Sequence, residues 1–122
     1  MEFYLEKTSH TPFIKFDNGV LVISGRSIPE DSTLIYDPLF EFIENYIKDP
    51  LPLTEIDISL EYANSSTNRS LMTVFELFEG IYADGHDVKI TWYFASADQE
   101  MFELGSDFKG LIKLPFEIKE LE

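Results

Sequence analysis

The chain has 122 residues, with 23 acidic and 9 basic side chains, a formal net charge of −14 and no cysteine. This length fits a single domain spanning 1–122, and the missing cysteines exclude disulfides, thiolate metal sites and a cysteine nucleophile. Without a basic cluster, neither nucleic acid nor an anionic membrane is an expected partner. The chain shows neither an apolar run of about 20 residues nor a signal-peptide pattern, so we expect a cytoplasmic protein.

A β-hairpin is predicted near the start of the chain. Residues 13–16 and 20–23 are largely apolar and flank Asp17-Asn18-Gly19, a tight-turn sequence because Asn and Gly tolerate positive φ. The unbroken apolar run 20–23 is typical of a central strand, which we expect Gly25 to end.

The first helix is predicted from Asp37 as N-cap and Pro38 at the first helical position, with Pro50 beyond its end. Its buried face has apolar residues at helical spacing: Leu39, Phe42, Ile43, Tyr46 and Ile47.

A strand and the longest helix come next. Apolar residues at 56, 58, 60 and 62 alternate with polar ones, which predicts a strand with Tyr62 on its buried face. The following helix is expected from about Ser66 to Ala83, with Gly85 as its C-terminal cap. Its predicted buried face comprises Leu71, Val74, Phe75, Phe78, Ile81 and Tyr82.

The last third of the chain repeats this alternation. Residues 88–94 predict a strand, and Ser96 with Gln99 fits a capping box for a short helix. Alternation over 112–118 predicts a final strand, in which Pro115 indicates an edge position. The predicted fold is therefore two-layer α/β: a mixed sheet that starts with a β-hairpin, with three helices mainly on one face. The opposite face is left open or available to a partner.

Most catalytic patterns are missing from the sequence. It has no glycine-rich phosphate loop and no metal-binding histidine spacing around His10 or His86, so no cofactor or metal is predicted. Asp98, Glu100 and Glu103 are interpreted as acidic residues that complement a helix N-terminus.

One polar segment, 64–69, lies between a strand end and the longest helix. Its sequence is Asn64-Ser65-Ser66-Thr67-Asn68-Arg69. The plainer interpretation is that Ser65 or Ser66 only caps the helix. The functional interpretation is phosphorylation, because a helix N-terminus at the carboxyl end of a strand favours an added anion.

Several blocks in order resemble a known family. Residues 25–30 are close to a G-x-S-Y-P-E signature, with Ile28 in place of Tyr, and residues 60–66 are similar to an L-x-Y-x-N-T-S-S turn. Residues 90–93 and 98–105 resemble a W-Y…D-x-D-M-x-E-x-G block. Together they resemble the SiaC family of bacterial regulatory phosphoproteins, which are compared with STAS-domain anti-sigma-factor antagonists and imply a STAS-like fold.

The resemblance implies a partner switch. A cognate protein kinase phosphorylates the turn and a PP2C-type phosphatase reverses it, while the unphosphorylated form binds and activates a diguanylate cyclase or other signalling effector. That output raises cyclic di-GMP and favours biofilm. By position the phosphoacceptor is Ser65, with Ser66 and Thr67 as alternates, since the family usually has Thr where this chain has Ser65.

The partner-binding residues expected are Asn64, Ser65, Ser66, Arg69 and Arg26. Two other classes remain open from the residues alone. One is a small ligand-binding or enzymatic α/β domain, recognised by a pocket with converging polar groups and a perturbed carboxylate. The other is a constitutive scaffold that assembles through the open sheet face.

Overall fold

The computed structural model describes residues 2–121. In chain order the elements are β1 (Phe3–Leu5), β2 (Phe13–Asp17), β3 (Val20–Ser27), α1 (Thr33–Tyr46), β4 (Leu53–Ala63), α2 (Ser65–Ala83), β5 (Asp87–Ala95), α3 (Gln99–Leu111) and β6 (Phe116–Leu121). The strand β1 was not predicted from the sequence.

The strands form one sheet in the order β1-β2-β3-β4-β5-β6. The pairs β1–β2 and β2–β3 are antiparallel, while β3–β4, β4–β5 and β5–β6 are parallel. Each parallel pair is joined through one helix, which is the connection that parallel neighbours require. The predicted mixed sheet with an antiparallel start is confirmed.

The core lies between one face of the sheet and the three helices. Alternate strand residues are buried on that face, among them Ile14, Ile23, Ile58, Ile90 and Phe116. On the opposite face most side chains are half-buried or exposed. Within residues 2–121, none of the helices is both long and apolar enough to cross a membrane.

The hairpin forms at the predicted turn. Asn18 and Gly19 have φ of 51° and 78°, as a two-residue turn with positive φ at both central positions requires. The prediction that Gly25 ends the strand is wrong, because β3 continues to Ser27 with a register shift after Gly25. With φ of 90°, Gly25 bends the strand without ending it.

The predicted start of the first helix is also wrong. Helix α1 begins at Thr33 after the N-cap Ser32, so Pro38 lies inside it. An interior proline removes one backbone hydrogen bond, but the extra turn buries Tyr36 completely. Burial of this large side chain outweighs the local signal of Asp37-Pro38.

Helix α2 agrees only in part with its prediction. Gly85, with φ of 101°, ends α2 as predicted: it donates to the Tyr82 carbonyl at 3.1 Å, and His86 donates to the Ile81 carbonyl at 3.0 Å. Tyr82, predicted as buried, is 39% exposed.

Helix α3 is capped by Asp98 and not by Ser96, since the Asp98 carboxylate accepts from the Met101 N–H at 3.0 Å. A turn closed by the Asp98 N–H and the Ala95 carbonyl (2.9 Å) places Asp98 at the cap position. β6 starts only at Phe116 and is an edge strand; Ile112 and the residues up to Pro115 connect it to α3.

Candidate functional site

The segment between β4 and α2 is built around Asn64. Its Oδ1 accepts from the Thr67 N–H at 2.9 Å and from the Ser66 hydroxyl at 3.0 Å. Its Nδ2 donates to the Pro29 carbonyl at 3.0 Å, and its backbone N–H donates to the Ser27 carbonyl at 3.1 Å. Asn64 is therefore the N-cap, and neither Ser65 nor Ser66 has that role.

The three hydroxyls of the turn have different surroundings. Ser65 is the first residue of α2 and is exposed. Ser66 is half-buried and donates to Asn64, whereas Thr67 is completely buried. In the folded chain, Ser65 is the hydroxyl of the turn most open to another protein.

Below the turn, a chain of buried hydroxyls links three elements. Thr67 Oγ1 donates to the Ser27 carbonyl at 2.8 Å, and its oxygen lies 2.7 Å from Ser27 Oγ. Ser27 Oγ in turn lies 2.8 Å from the Tyr36 hydroxyl. Because the Thr67 proton is used on a carbonyl, Ser27 Oγ must donate to Thr67, and Tyr36 must donate to Ser27.

This network holds the start of α2 against the end of β3 and the first turns of α1. Burial raises the pKa of Tyr36 to about 12, although the nearby hydroxyls of Ser27 and Thr67 would stabilise the phenolate and so act in the opposite direction. Tyr36 is therefore neutral and available as a donor at physiological pH. Sequence reasoning missed Ser27 and Tyr36; the only signal for Ser27 was its place inside the 25–30 block.

A β-bulge in β4 places the Tyr62 ring beside Arg26. Leu60 pairs with Gly25 and Tyr62 pairs with Arg26, so Glu61 is an extra residue in β4. One inserted residue reverses the facing of the next side chain, and Tyr62, predicted as buried, is 56% exposed on the outer face. The Arg26 guanidinium lies 4.6 Å from the centre of the Tyr62 ring, within cation–π range.

The predicted partner-binding residues divide into two groups. Asn64, Ser65 and Ser66 are consecutive in one turn, and Arg69 lies one helical turn further along α2, exposed. Arg26 is on the neighbouring strand, joined to the turn through the bond between Ser27 and Asn64. The fold thus brings the first block of the sequence beside the polar turn.

A cavity of about 410 Å³ lies on the other side of this turn, between the end of β4, α2 and α3. Its lining is acidic, with Glu61, Asp98, Glu100, Glu103 and Asp107, and it also includes Asn68, whose buried Oδ1 has no hydrogen-bond partner among the described residues. Within residues 2–121, no group of three or more His, Asp or Glu side chains is arranged to hold a metal ion.

Asp57, a carboxylate with a raised pKa, lies elsewhere. Burial raises the pKa of Asp57, and the charge of Glu55 adds to this effect while Lys89 and Lys119 oppose it. Asp57 lies on the outer face of the sheet and is not part of the acidic cavity. The acidic cavity and the carboxylate with the raised pKa, Asp57, therefore do not form one site.

Known proteins resemble this chain over almost its whole length. Residues 5–121 match the SiaC family of regulatory phosphoproteins. An uncharacterised protein of Pseudomonas aeruginosa strain UCBPP-PA14 is 27% identical over 120 residues, which cover 97% of this chain and 95% of that protein.

Solved structures agree with this match. The structure of SiaC of Pseudomonas aeruginosa is 26% identical with a TM-score of 0.91, covering 99% of both chains. A second structure, of the diguanylate cyclase SiaD in complex with its activator SiaC from the same organism, matches with 26% identity and a TM-score of 0.92, over 98% of this chain and 99% of that one.

Proposed function

Because this chain belongs to the SiaC family of regulatory phosphoproteins, we propose that it is a non-enzymatic, cytoplasmic partner-switching protein. While unphosphorylated, it binds and activates a signalling effector such as a diguanylate cyclase. One matched structure supports this choice of effector, since it contains a diguanylate cyclase together with SiaC, its activator. The output of the switch is cyclic di-GMP and, through it, biofilm formation.

The proposed switch residue is Ser65, phosphorylated by a cognate kinase and restored by a PP2C-type phosphatase. The observation that carries this assignment is its exposure on the first turn of α2, where Asn64 already caps the helix. Modification of Ser65 therefore breaks no hydrogen bond of the cap. The alternates are less suitable, since the Ser66 hydroxyl bonds to Asn64 and Thr67 is completely buried.

The electrostatics of this position suit a reversible phosphoryl group. A phosphoserine carries a charge of about −1.5 to −2 at neutral pH and is stabilised near the positive end of a helix. Arg69 follows Ser65 by four residues, the spacing at which helical side chains meet. The fold accepts the phosphoryl group, and a partner that contacts Asn64, Ser66, Arg69 and Arg26 loses its binding surface.

A phosphorylation assay tests the site. Incubation with the cognate kinase and ATP is expected to add one phosphate, which peptide mass spectrometry assigns to Ser65 and which Ser65→Ala abolishes. The matched control is Ser106→Ala, at an exposed serine of α3, which keeps full labelling. Undiminished labelling of a Ser65→Ala, Ser66→Ala double variant would refute the site.

A phosphomimetic tests the consequence. Ser65→Asp is expected to keep the wild-type melting temperature within about 2 °C, because a surface change at a helix N-terminus costs little. The same variant should activate the diguanylate cyclase at least tenfold less well than wild type. A variant that melts normally and still activates fully contradicts the switch.

A further inference from the structure

A second cavity lies between the loop after β1 and the last residues of β3 and β4. We call it the Lys7–Arg26 cavity; it has a volume of about 430 Å³ and is lined by Lys7, Thr8, Ser9, Gly25, Arg26 and Glu61. It brings together two of the nine basic side chains of a chain with a net charge of −14. Among residues 2–121, neither cation lies within 4.0 Å of a carboxylate oxygen.

The loop that carries Lys7 is held in place by hydrogen bonds. The Thr8 N–H donates to the Thr11 carbonyl at 3.0 Å, and the Thr11 N–H donates to Thr8 Oγ1 at 3.0 Å. The Ile28 N–H donates to the His10 carbonyl at 2.9 Å, which fastens the loop to the end of β3. The loop that forms this wall of the cavity is therefore attached to the chain just after β3.

Gly25 lines the cavity together with the two cations. An added Cβ at Gly25 would lie 3.8 Å from Lys7 Cδ, so the Lys7 stem passes over the β3 backbone beside Arg26. Gly25 also has a positive φ, which residues with a side chain adopt only with strain. Lys7 and Arg26 therefore contribute two positive charges to the lining of one cavity.

The neighbouring surface has the composition of a protein-binding hot spot. Tyr62 is turned outward by the bulge at Glu61 and stacks with Arg26. Tyrosine and arginine are enriched among the residues that dominate binding energy. An exposed ring beside a paired-cation cavity suits a segment that carries both a carboxylate and an apolar side chain.

We propose that the Lys7–Arg26 cavity binds an acidic segment of the effector, with an Asp or Glu side chain between the two cations and an apolar neighbour against Tyr62. This inference rests on the proposed function. Charge complementarity selects an acidic segment, since the lining contains two cations and one carboxylate.

The location also accounts for the direction of the switch. Ser27 and Asn64 are hydrogen-bonded to each other, and Arg26 and Ser65 are their immediate neighbours in the chain. A phosphoryl group on Ser65 would add negative charge at this end of β3 and β4, where it would repel an acidic segment and compete for Arg26. A basic segment would instead be attracted by phosphorylation, which opposes release.

Charge reversal tests the cavity. Unphosphorylated chain is titrated into the diguanylate cyclase of the same organism by calorimetry, and Lys7→Glu with Arg26→Glu is expected to raise Kd at least tenfold. The control, Lys48→Glu with Lys109→Glu, has the same net charge and alters exposed residues at the opposite end of the molecule, so its Kd should stay within threefold of wild type. Circular dichroism melting verifies that both variants are folded.

Carbodiimide cross-linking identifies the contact directly, because this reagent joins an amine to a carboxylate that touches it. We expect a cross-link between Lys7 and an Asp or Glu of the cyclase, located by peptide mass spectrometry and lost after phosphorylation. Wild-type affinity of the Lys7, Arg26 variant would overturn the inference and remove Arg26 from the proposed partner surface, while the switch at Ser65 would stand. Cross-links to the cyclase only from lysines other than Lys7 would overturn the inference alone. Failure of the wild-type chain to bind the cyclase would overturn both.

Discussion

The buried hydroxyl network gives a quantitative prediction for Thr67→Val. The change keeps the shape of the side chain but removes a donor to the Ser27 carbonyl at 2.8 Å and an acceptor for Ser27 Oγ at 2.7 Å. A neutral buried hydrogen bond contributes about 1 kcal/mol net, and a donor left without a partner adds a further penalty. We therefore expect the free energy of unfolding to fall by about 2–3 kcal/mol.

Urea unfolding measures this loss, with the fluorescence of the fully buried Trp92 as the probe. The midpoint should fall while the dependence of free energy on urea concentration stays unchanged. The control is Thr73→Val on the same helix, where a partly exposed hydroxyl bonds only to the Arg69 carbonyl at 3.3 Å, and the expected change is within about 0.5 kcal/mol.

A double variant separates the network from a local effect. Tyr36→Phe removes the other end of the hydroxyl chain, and its cost should be non-additive with that of Thr67→Val, because both side chains depend on Ser27. If Thr67→Val costs no more than the Thr73 control, the hydrogen bonds are not what holds the start of α2, and the reasoning is refuted.

The remaining predictions concern pH, packing and capping. The pKa of Tyr36 is about 12 in the folded chain and about 10 when unfolded, so its neutral form contributes roughly 2–3 kcal/mol of stability that is fully present below pH 10 and lost as pH rises towards 12. In urea unfolding at pH 9–12, the free energy of unfolding should therefore decline less steeply for Tyr36→Phe than for wild type. Equal declines would contradict this. Gly105→Ala would place a Cβ 2.5 Å from the indole ring of Trp92 on β5 and should cost about 1–3 kcal/mol of stability, measured by thermal melting. Gly110→Ala is the control, because the space around Gly110 is open; it should be neutral or stabilising by up to about 1 kcal/mol. Asn64→Ala should cost about 1–2 kcal/mol of stability through loss of the helix cap, and Ser65→Ala less than about 0.5 kcal/mol. If chemical denaturation shows a larger loss for Ser65→Ala than for Asn64→Ala, the cap is Ser65 and not Asn64.

Local signals in the sequence predicted the elements that depend on backbone geometry. The turn at Asn18 and Gly19 and the cap at Gly85 both need positive φ, a requirement that the residue type itself reveals. Hydrophobic periodicity predicted the order of helices and strands and hence the mixed sheet. The ordered blocks predicted the SiaC family, to which residues 5–121 belong.

Local signals failed where a tertiary contact competed with them. Asp37-Pro38 predicted a helix start, but burial of Tyr36 extended α1 backwards by a turn. Ser96 was predicted as a cap, but the turn at the end of β5 gave that position to Asp98. The three residues of β1 carry too short a pattern to be predicted, and they pair only because β2 offers a free edge.

The sequence by itself determined the class of fold, the family and the polar turn, because periodicity, turn residues and motifs are properties of neighbouring positions. Only the tertiary structure decided which hydroxyl of the turn is exposed, since Thr67 is buried against Ser27, 40 residues earlier in the chain, while Ser65 stays at the surface. The tertiary structure also decided which face of the sheet Tyr62 occupies. One extra residue in β4 moves the side chains after it to the opposite face from the one that alternation predicts, and this extra residue is visible only in the pairing with β3.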